Sequence, residues 1–315
     1  MRGLVEETLI QHWDGREWTI VPSPNVNGNG MLHAVEAIAA DDVWAVGSYE
    51  MGSLKDQGLI VHWDGSTWSV VSSPATAENT RLYAVDSTSP EDVWVVGTAK
   101  KKVVIEHWDG IRWTLVPSPS VGEHNSLHSV VAISPDEAWA VGHYHVDGST
   151  YRTLVERWDG SEWTVVPSPN SSDTATGLLF WAASVSVDDI WAVGWSYDSE
   201  GVARTLIERW DGEAWTLVPS PNEGTLGNFL YGVAAHANGQ VWAVGYSERA
   251  GAAPRALMQQ WDGAAWTLER PPTGPRPSAL FGVTAGLDGF WAVGHKSDAR
   301  MGSLAHPLVQ RLCPP

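Results

Sequence analysis

The chain has 315 residues, of which 43% are hydrophobic and 20 are tryptophan, and its formal net charge is -18 at pH 7. Such an acidic balance excludes a nucleic-acid partner, because counterion release needs clustered Lys and Arg and the basic run is confined to Lys100, Lys101 and Lys102. The lone cysteine, Cys313, excludes an internal disulfide, and the absence of any apolar run of spanning length excludes a membrane partner.

Residues Met1 to Thr8 are too polar for a secretory core. An extracellular location, with any export signal missing from this chain, is the expectation over a cytoplasmic one. The first strand-like run is Leu9 to Trp13, followed by an Asp14-Gly15 turn and a second run, Trp18 to Val21. From there two motifs alternate. One is written first as DDVWAVG, Asp41 to Gly47, and returns at Trp94, Trp139, Trp191, Trp242 and Trp291. The other is WDGxxW, beginning at Trp13, Trp63, Trp108, Trp158, Trp210 and Trp261.

A period of 45 to 52 residues marks a repeat architecture. The repeat after Arg81 shows its parts: an A strand over Leu82 to Val85, a B strand over Asp92 to Val96, a C strand over Val103 to Trp108 and a D strand over Trp113 to Val116. Each is short, rich in Val, Ile and aromatics, and bounded by Gly, Pro, Asp or Ser. Four antiparallel strands per repeat of this length are the signature of a β-propeller blade. The chain is therefore expected to be all-β, a single domain over residues 1–315 with six blades. Seven C strands are counted if Leu308 to Leu312 joins them, and pairing the first D strand with the last A and B strands would remove the free edges. A seven-bladed ring with one incomplete blade is the alternative.

The WAVG and WDGxxW pattern resembles the repeat of bacterial β-propeller proteins. Its D-G-x-x-W part resembles the Asp-box hairpin between the third and fourth strands of sialidase-like propellers, one residue shorter from Asp to Trp. The likeness covers about six residues per repeat. The arginine triad of sialidases has no counterpart in the sequence, so sialidase activity is not implied. Asp64, Asp159, Asp211 and their equivalents are expected to serve the turn, since Asp followed by Gly between strands is hairpin chemistry. Trp44 and its equivalents are expected in the core, whereas Trp18 and its equivalents on the D strands lie further out, where propeller lectins stack a sugar; such a lectin would repeat its polar contacts in every blade, and here only the Trp repeats.

Variation in spacing locates a working face. The A to B and C to D turns are nearly constant in length, while the B to C and D to A connections vary. Those two lie at one end of an antiparallel blade, and loops vary where they carry function. Two positions at that end also break the repeat. After the A-strand Leu come His33, Tyr83, His128, Phe180, Tyr231 and Phe281; after the B-strand Gly come Ser48, Thr98, His143, Trp195, Tyr246 and His295.

Unlike rings around a channel mouth suit one asymmetric ligand, a glycan or small polar molecule, with His33, Tyr144, His145, Trp181, Trp195, Tyr231 and Tyr246 as contacts. The same pocket supports a second reading as a lyase, hydrolase, isomerase or cyclase, with His128, His143, His295 and Tyr83 as acid and base groups. Three histidines are also enough to hold a divalent metal such as zinc. A third reading is a protein-interaction scaffold, and a monomer is expected throughout.

Overall fold

In the computed structural model the chain is described over residues 7–26, 29–51, 55–75, 77–147, 150–170, 176–270, 276–286, 289–297 and 305–312. Cys313 lies outside these residues. The described residues form strands and turns without a helix, and none of them forms a helix long and apolar enough to cross a membrane.

The chain opens on a two-stranded hairpin, β1 (Ile10–Trp13) with β2 (Trp18–Val21). Four-stranded antiparallel sheets follow. The first is β3 (Gly30–Ala39), β4 (Asp42–Glu50), β5 (Asp56–Trp63) and β6 (Trp68–Val71). The second is β7 (Thr80–Ser89), β8 (Asp92–Ala99), β9 (Lys102–Trp108) and β10 (Trp113–Leu115). The third is β11 (Asn125–Ser134), β12 (Glu137–Asp147), β13 (Thr150–Trp158) and β14 (Trp163–Val165).

Then come β15 (Gly177–Ser186), β16 (Asp189–Tyr197), β17 (Ala203–Trp210) and β18 (Trp215–Leu217), and β19 (Gly227–Ala235), β20 (Val241–Glu248), β21 (Arg255–Trp261) and β22 (Trp266–Glu269). A single parallel bridge, Ala203 to Gly227, joins these two fours into one eight-stranded sheet. The last sheet has three strands, β23 (Ser278–Gly286), β24 (Gly289–Ser297) and β25 (Ala305–Leu312).

The A strands are longer than their sequence pattern suggests, because β7 begins at Thr80 and runs on to Ser89 through two register shifts. The chain divides into two compact units, Met1–Ala140 with Glu156–Thr164, and Val141–Val155 with Val165–Pro315.

Within each unit the core follows from the B strands. Val-Trp-Ala-Val-Gly is apolar at every position because sheets cover both of its faces, so hydrophobic alternation vanishes there. Trp44 packs on Trp108 and edge-on against Trp113 of the next sheet, each with centroids 5.2 Å apart. Trp94 repeats the arrangement with Trp158 and Trp163, and Trp191 with Trp261 and Trp266. The D-strand indoles Trp113, Trp163, Trp215 and Trp266 are thus buried. These rings are spent in the core, whereas Trp68 on β6 is half-buried and Trp18 on β2 is 44% exposed.

Two further devices recur, the first within a sheet and the second between one repeat and the next. Over the face of a B-strand indole lies a C-strand base paired to an acid at the start of the B strand. His62 meets Asp42 at 2.7 Å, His107 meets Asp92 at 2.6 Å, and Arg209, 4.9 Å above Trp191, meets Asp189 at 2.7 Å.

The second device was not legible as such in the sequence. Ser73, Ser118 and Ser168, each between a D strand and the next A strand, donate at 2.7 Å to Glu106, Glu156 and Glu208 on C strands. These carboxyls are fully buried. Burial, only partly offset by the serine hydrogen bond, pushes Glu106 and Glu156 up to about 7 and Glu208 to about 8. The hairpin aspartates behave as expected: Asp64 Oδ1 accepts from the backbone N–H of Ser66 and Thr67 at 2.9 and 2.8 Å, and the pattern repeats at Asp109, Asp159, Asp211 and Asp262.

Candidate functional site

The ring-bearing positions owe their placement to one irregularity in the ladder. Leu32 pairs with Gly47 and the next pair is Ala34 with Val46, so His33 is left out of register. The same bulge sets aside Tyr83, Phe180, Tyr231 and Phe281 on their A strands. A bulge kinks the strand and re-aims the extra side chain.

The glycine opposite is obligatory. A Cβ on Gly47 would stand 1.9 Å from the carbonyl oxygen of Met31, and on Gly194 1.9 Å from that of Leu178. The final letter of WAVG is therefore set by a close backbone approach, and the aromatic beside it follows.

In the first unit the bulged residues make one run of rings. His33 lies 5.5 Å from Tyr83, and Tyr83 stacks on His128 at 4.8 Å. Burial lowers the pKa of His33, with help from Arg81 and against Asp56, and burial raises that of Tyr83. Arg81 is itself paired to Asp56.

Further along the same A strands stand two carboxyls, Glu36 and Asp86, where other repeats carry Val131, Ala183, Ala234 or Thr284. Burial, and then the neighbouring Asp86, pushes Glu36 up to about 7, and burial pushes Asp86 up to about 6. Asp86 accepts from the backbone N–H groups of Ala132 at 2.8 Å and Ser87 at 2.9 Å, and the Ser87 hydroxyl donates to Glu36 at 3.3 Å. The sequence signal for this pair was present, a charge at an otherwise uncharged position.

The second unit carries a larger patch. Phe180 stacks on Trp195 at 4.1 Å, Trp195 meets Tyr231 at 5.2 Å, and Tyr231 lies nearly parallel to Tyr246 at 5.7 Å. Phe281 stands edge-on to Tyr231 at 5.3 Å, and His295 lies 5.5 Å from Phe281. The bulged residues and the residues after the B-strand glycine thus share one surface here. Phe229 joins it from β19, edge-on to Trp195 at 5.1 Å, although its place in the repeat is not a ring position elsewhere.

Tyr197 and Glu248 extend the patch, each two residues beyond a patch ring on its own strand and so on the same face. Burial raises the phenols of Tyr231 and Tyr246; the charge of Glu248 and the nearby phenol of Tyr197 add to it in both cases. Phe281 is 43% exposed and Tyr197 40%, while Trp195, Tyr231 and Tyr246 are half-buried.

The remaining expected residues sit elsewhere in the second unit. His143 and His145 share a face of β12, with centroids 6.2 Å apart, and both stand edge-on to Tyr151 of β13, at 5.2 and 3.9 Å. Burial, with the charge of His145, lowers His143 to about 4, so it is neutral at neutral pH. Tyr144, between them, points to the other face by strand alternation. Trp181 packs into the apolar cluster of Trp191, Val193, Leu230 and Val233. Of the four acid and base candidates, Tyr83 and His128 touch each other, while His143 rests on Tyr151 and His295 on Phe281.

A zinc-like centre needs three converging ligands. Among the described residues no group of three or more His, Cys, Asp or Glu side chains is arranged to hold a metal ion, so the histidines that the sequence offered as a set do not gather as one.

No family model matches the chain, and no curated protein matches it. Solved structures do. The chain is similar to YCF48 bound to D1 peptide, with 17% identity and a TM-score of 0.53 over 84% of this chain and 76% of that one. It is similar to U3-55K, with 9% identity and a TM-score of 0.53 over 84% and 74%. A third structure, YCF48 from Cyanidioschyzon merolae, gives 17% identity and a TM-score of 0.52 over 88% and 84%. These are β-propeller proteins, and with the four-stranded antiparallel sheets they establish a β-propeller fold for this chain.

Proposed function

We propose that the chain is a propeller-type interaction scaffold that binds a peptide segment of a protein partner. The observation that carries this reading is the continuous, partly exposed patch of Phe180, Trp195, Phe229, Tyr231, Tyr246 and Phe281, built where the repeats differ from one another. Large aromatic faces give the most contact area for the least loss of side-chain freedom, which is why they dominate the centres of protein interfaces. A solved structure with this fold carries a bound peptide, which supports the same use.

The reading displaces a glycan or small polar ligand as first choice. Most D-strand indoles are consumed by packing between sheets, and the patch spreads over neighbouring strands. His295, 5.5 Å from Phe281, enters this proposal as a flanking contact. Six blades remain our count, supported by six A and B strand pairs from β3–β4 to β23–β24.

A phage-displayed library of random linear peptides, panned against the purified chain, tests the reading. Enriched peptides should lose about tenfold or more in affinity when Trp195→Ala and Tyr246→Ala are combined. Peptides that bind the double variant as well as the parent would overturn it.

A further inference from the structure

The patch in the second unit is not uniformly apolar. Strands β16, β19 and β20 bring three phenols, Tyr197, Tyr231 and Tyr246, to the edge of the faces of Trp195 and Phe229. Glu248 stands beside them, across the ladder from Gly227. Two nearby guanidinium groups are already neutralised, Arg204 by Asp198 at 2.8 Å and Arg249 by Glu223, and Arg255 pairs across the ladder with Ser247, whose side chain alternates to the face opposite that of Glu248. Glu248 takes part in no ion pair among the described residues. Aromatic faces present negative charge to whatever lies over them, and a carboxylate at their rim adds a full charge in the same sense. The chain as a whole, at -18, draws cations toward itself.

We propose that this patch receives an arginine or lysine side chain of a basic peptide, laid over Trp195 and Tyr246 with Glu248 as its counter-charge. The inference rests on the peptide-binding reading and names the partner's chemistry. Arginine fits better than lysine, because a planar guanidinium stacks on an indole while its edge still donates to a carboxylate. A purely apolar peptide would strand the Glu248 carboxylate under a dry contact, at a cost in desolvation.

Fluorescence anisotropy of labelled decapeptides decides the matter, using an arginine-glycine, a lysine-glycine, a leucine-serine and a glutamate-glycine sequence at low and moderate salt. The arginine peptide should bind tightest and the glutamate peptide not at all. Trp195→Ala and Glu248→Gln should each weaken the arginine peptide about fivefold or more. Trp195→Phe, which keeps a ring, should retain most of the binding, so that loss of the fold is told apart from loss of the contact. Glu123→Gln, an exposed acid of the first unit, should change nothing.

Equal weakening by Glu123→Gln and Glu248→Gln would reduce the effect to general charge and overturn the proposal. A leucine-serine peptide that binds as well as the arginine one, and is lost in Trp195→Ala, would overturn the basic partner while leaving peptide binding intact. Indifference of every peptide to Trp195→Ala would remove both.

Discussion

A single missing side chain governs the site. Gly194 has no Cβ because the carbonyl of Leu178 occupies that space, so Gly194→Ala must push two strands apart beside the stacked Phe180 and Trp195. We expect it to cost at least about 2 kcal/mol, read as a lower urea midpoint with unchanged slope. A loss within a few tenths would show that the bulge relaxes freely. The opposite sign is expected at the tightest B to C connection, where Lys100 and Lys101 both hold positive φ, 49° and 71°. Such a two-residue hairpin suits Asn-Gly, so Lys100→Asn with Lys101→Gly should stabilise by roughly 1 kcal/mol. Which rings line the patch was legible from their irregularity within a regular repeat. That Phe229 and Glu248 join them was not, because strand neighbours in space leave no mark on the spacing of a single strand.

At the scale of the element, the joint between sheets is built on buried indoles. Trp191 is fully enclosed between Trp261, Trp266 and the Arg209 side chain, and Trp191→Ala should cost about 3–5 kcal/mol in equilibrium unfolding. The serine-glutamate contacts make that joint sensitive to pH. Glu106, Glu156 and Glu208 hold their protons more tightly when folded than in the unfolded chain, where the ordinary value is 4.5. Their contribution is therefore complete below that value and is lost as pH rises through about 7 to 8. Thermal midpoints should fall from about pH 5.5 to about pH 8.5, and Glu208→Gln should flatten the fall. An unchanged profile in the variant would show that Glu208 is not its source. The native repeats already place Gln259 and Gln310 at equivalent positions, both buried. The strands themselves could be read from turn residues and β-rich runs, but a glutamate two residues before a tryptophan looks like an outward-facing charge until its serine partner from another repeat is seen.

For the whole chain the governing quantity is charge. A net -18 repels itself within a folded volume, and salt screens that repulsion over about 10 Å at 0.1 M. Raising sodium chloride to about 0.5 M should raise the melting temperature while weakening any basic peptide, so stability and affinity move in opposite directions. Parallel movement of the two would point to a contact dominated by apolar area. The repeat period made the propeller fold legible without any relative in view. The division into two compact units was not legible, because it passes through β12, β13 and β14, inside a repeat.

The bulge has one more consequence. Each aromatic at these positions is the residue that the ladder skips, so its identity is released from the pairing rules that fix its neighbours. His, Tyr and Phe already occupy the same slot in different repeats over an unaltered Leu and Gly. The scaffold thus behaves as a set of interchangeable sockets, in which what is recognised can be rewritten one ring at a time without renegotiating how the chain folds.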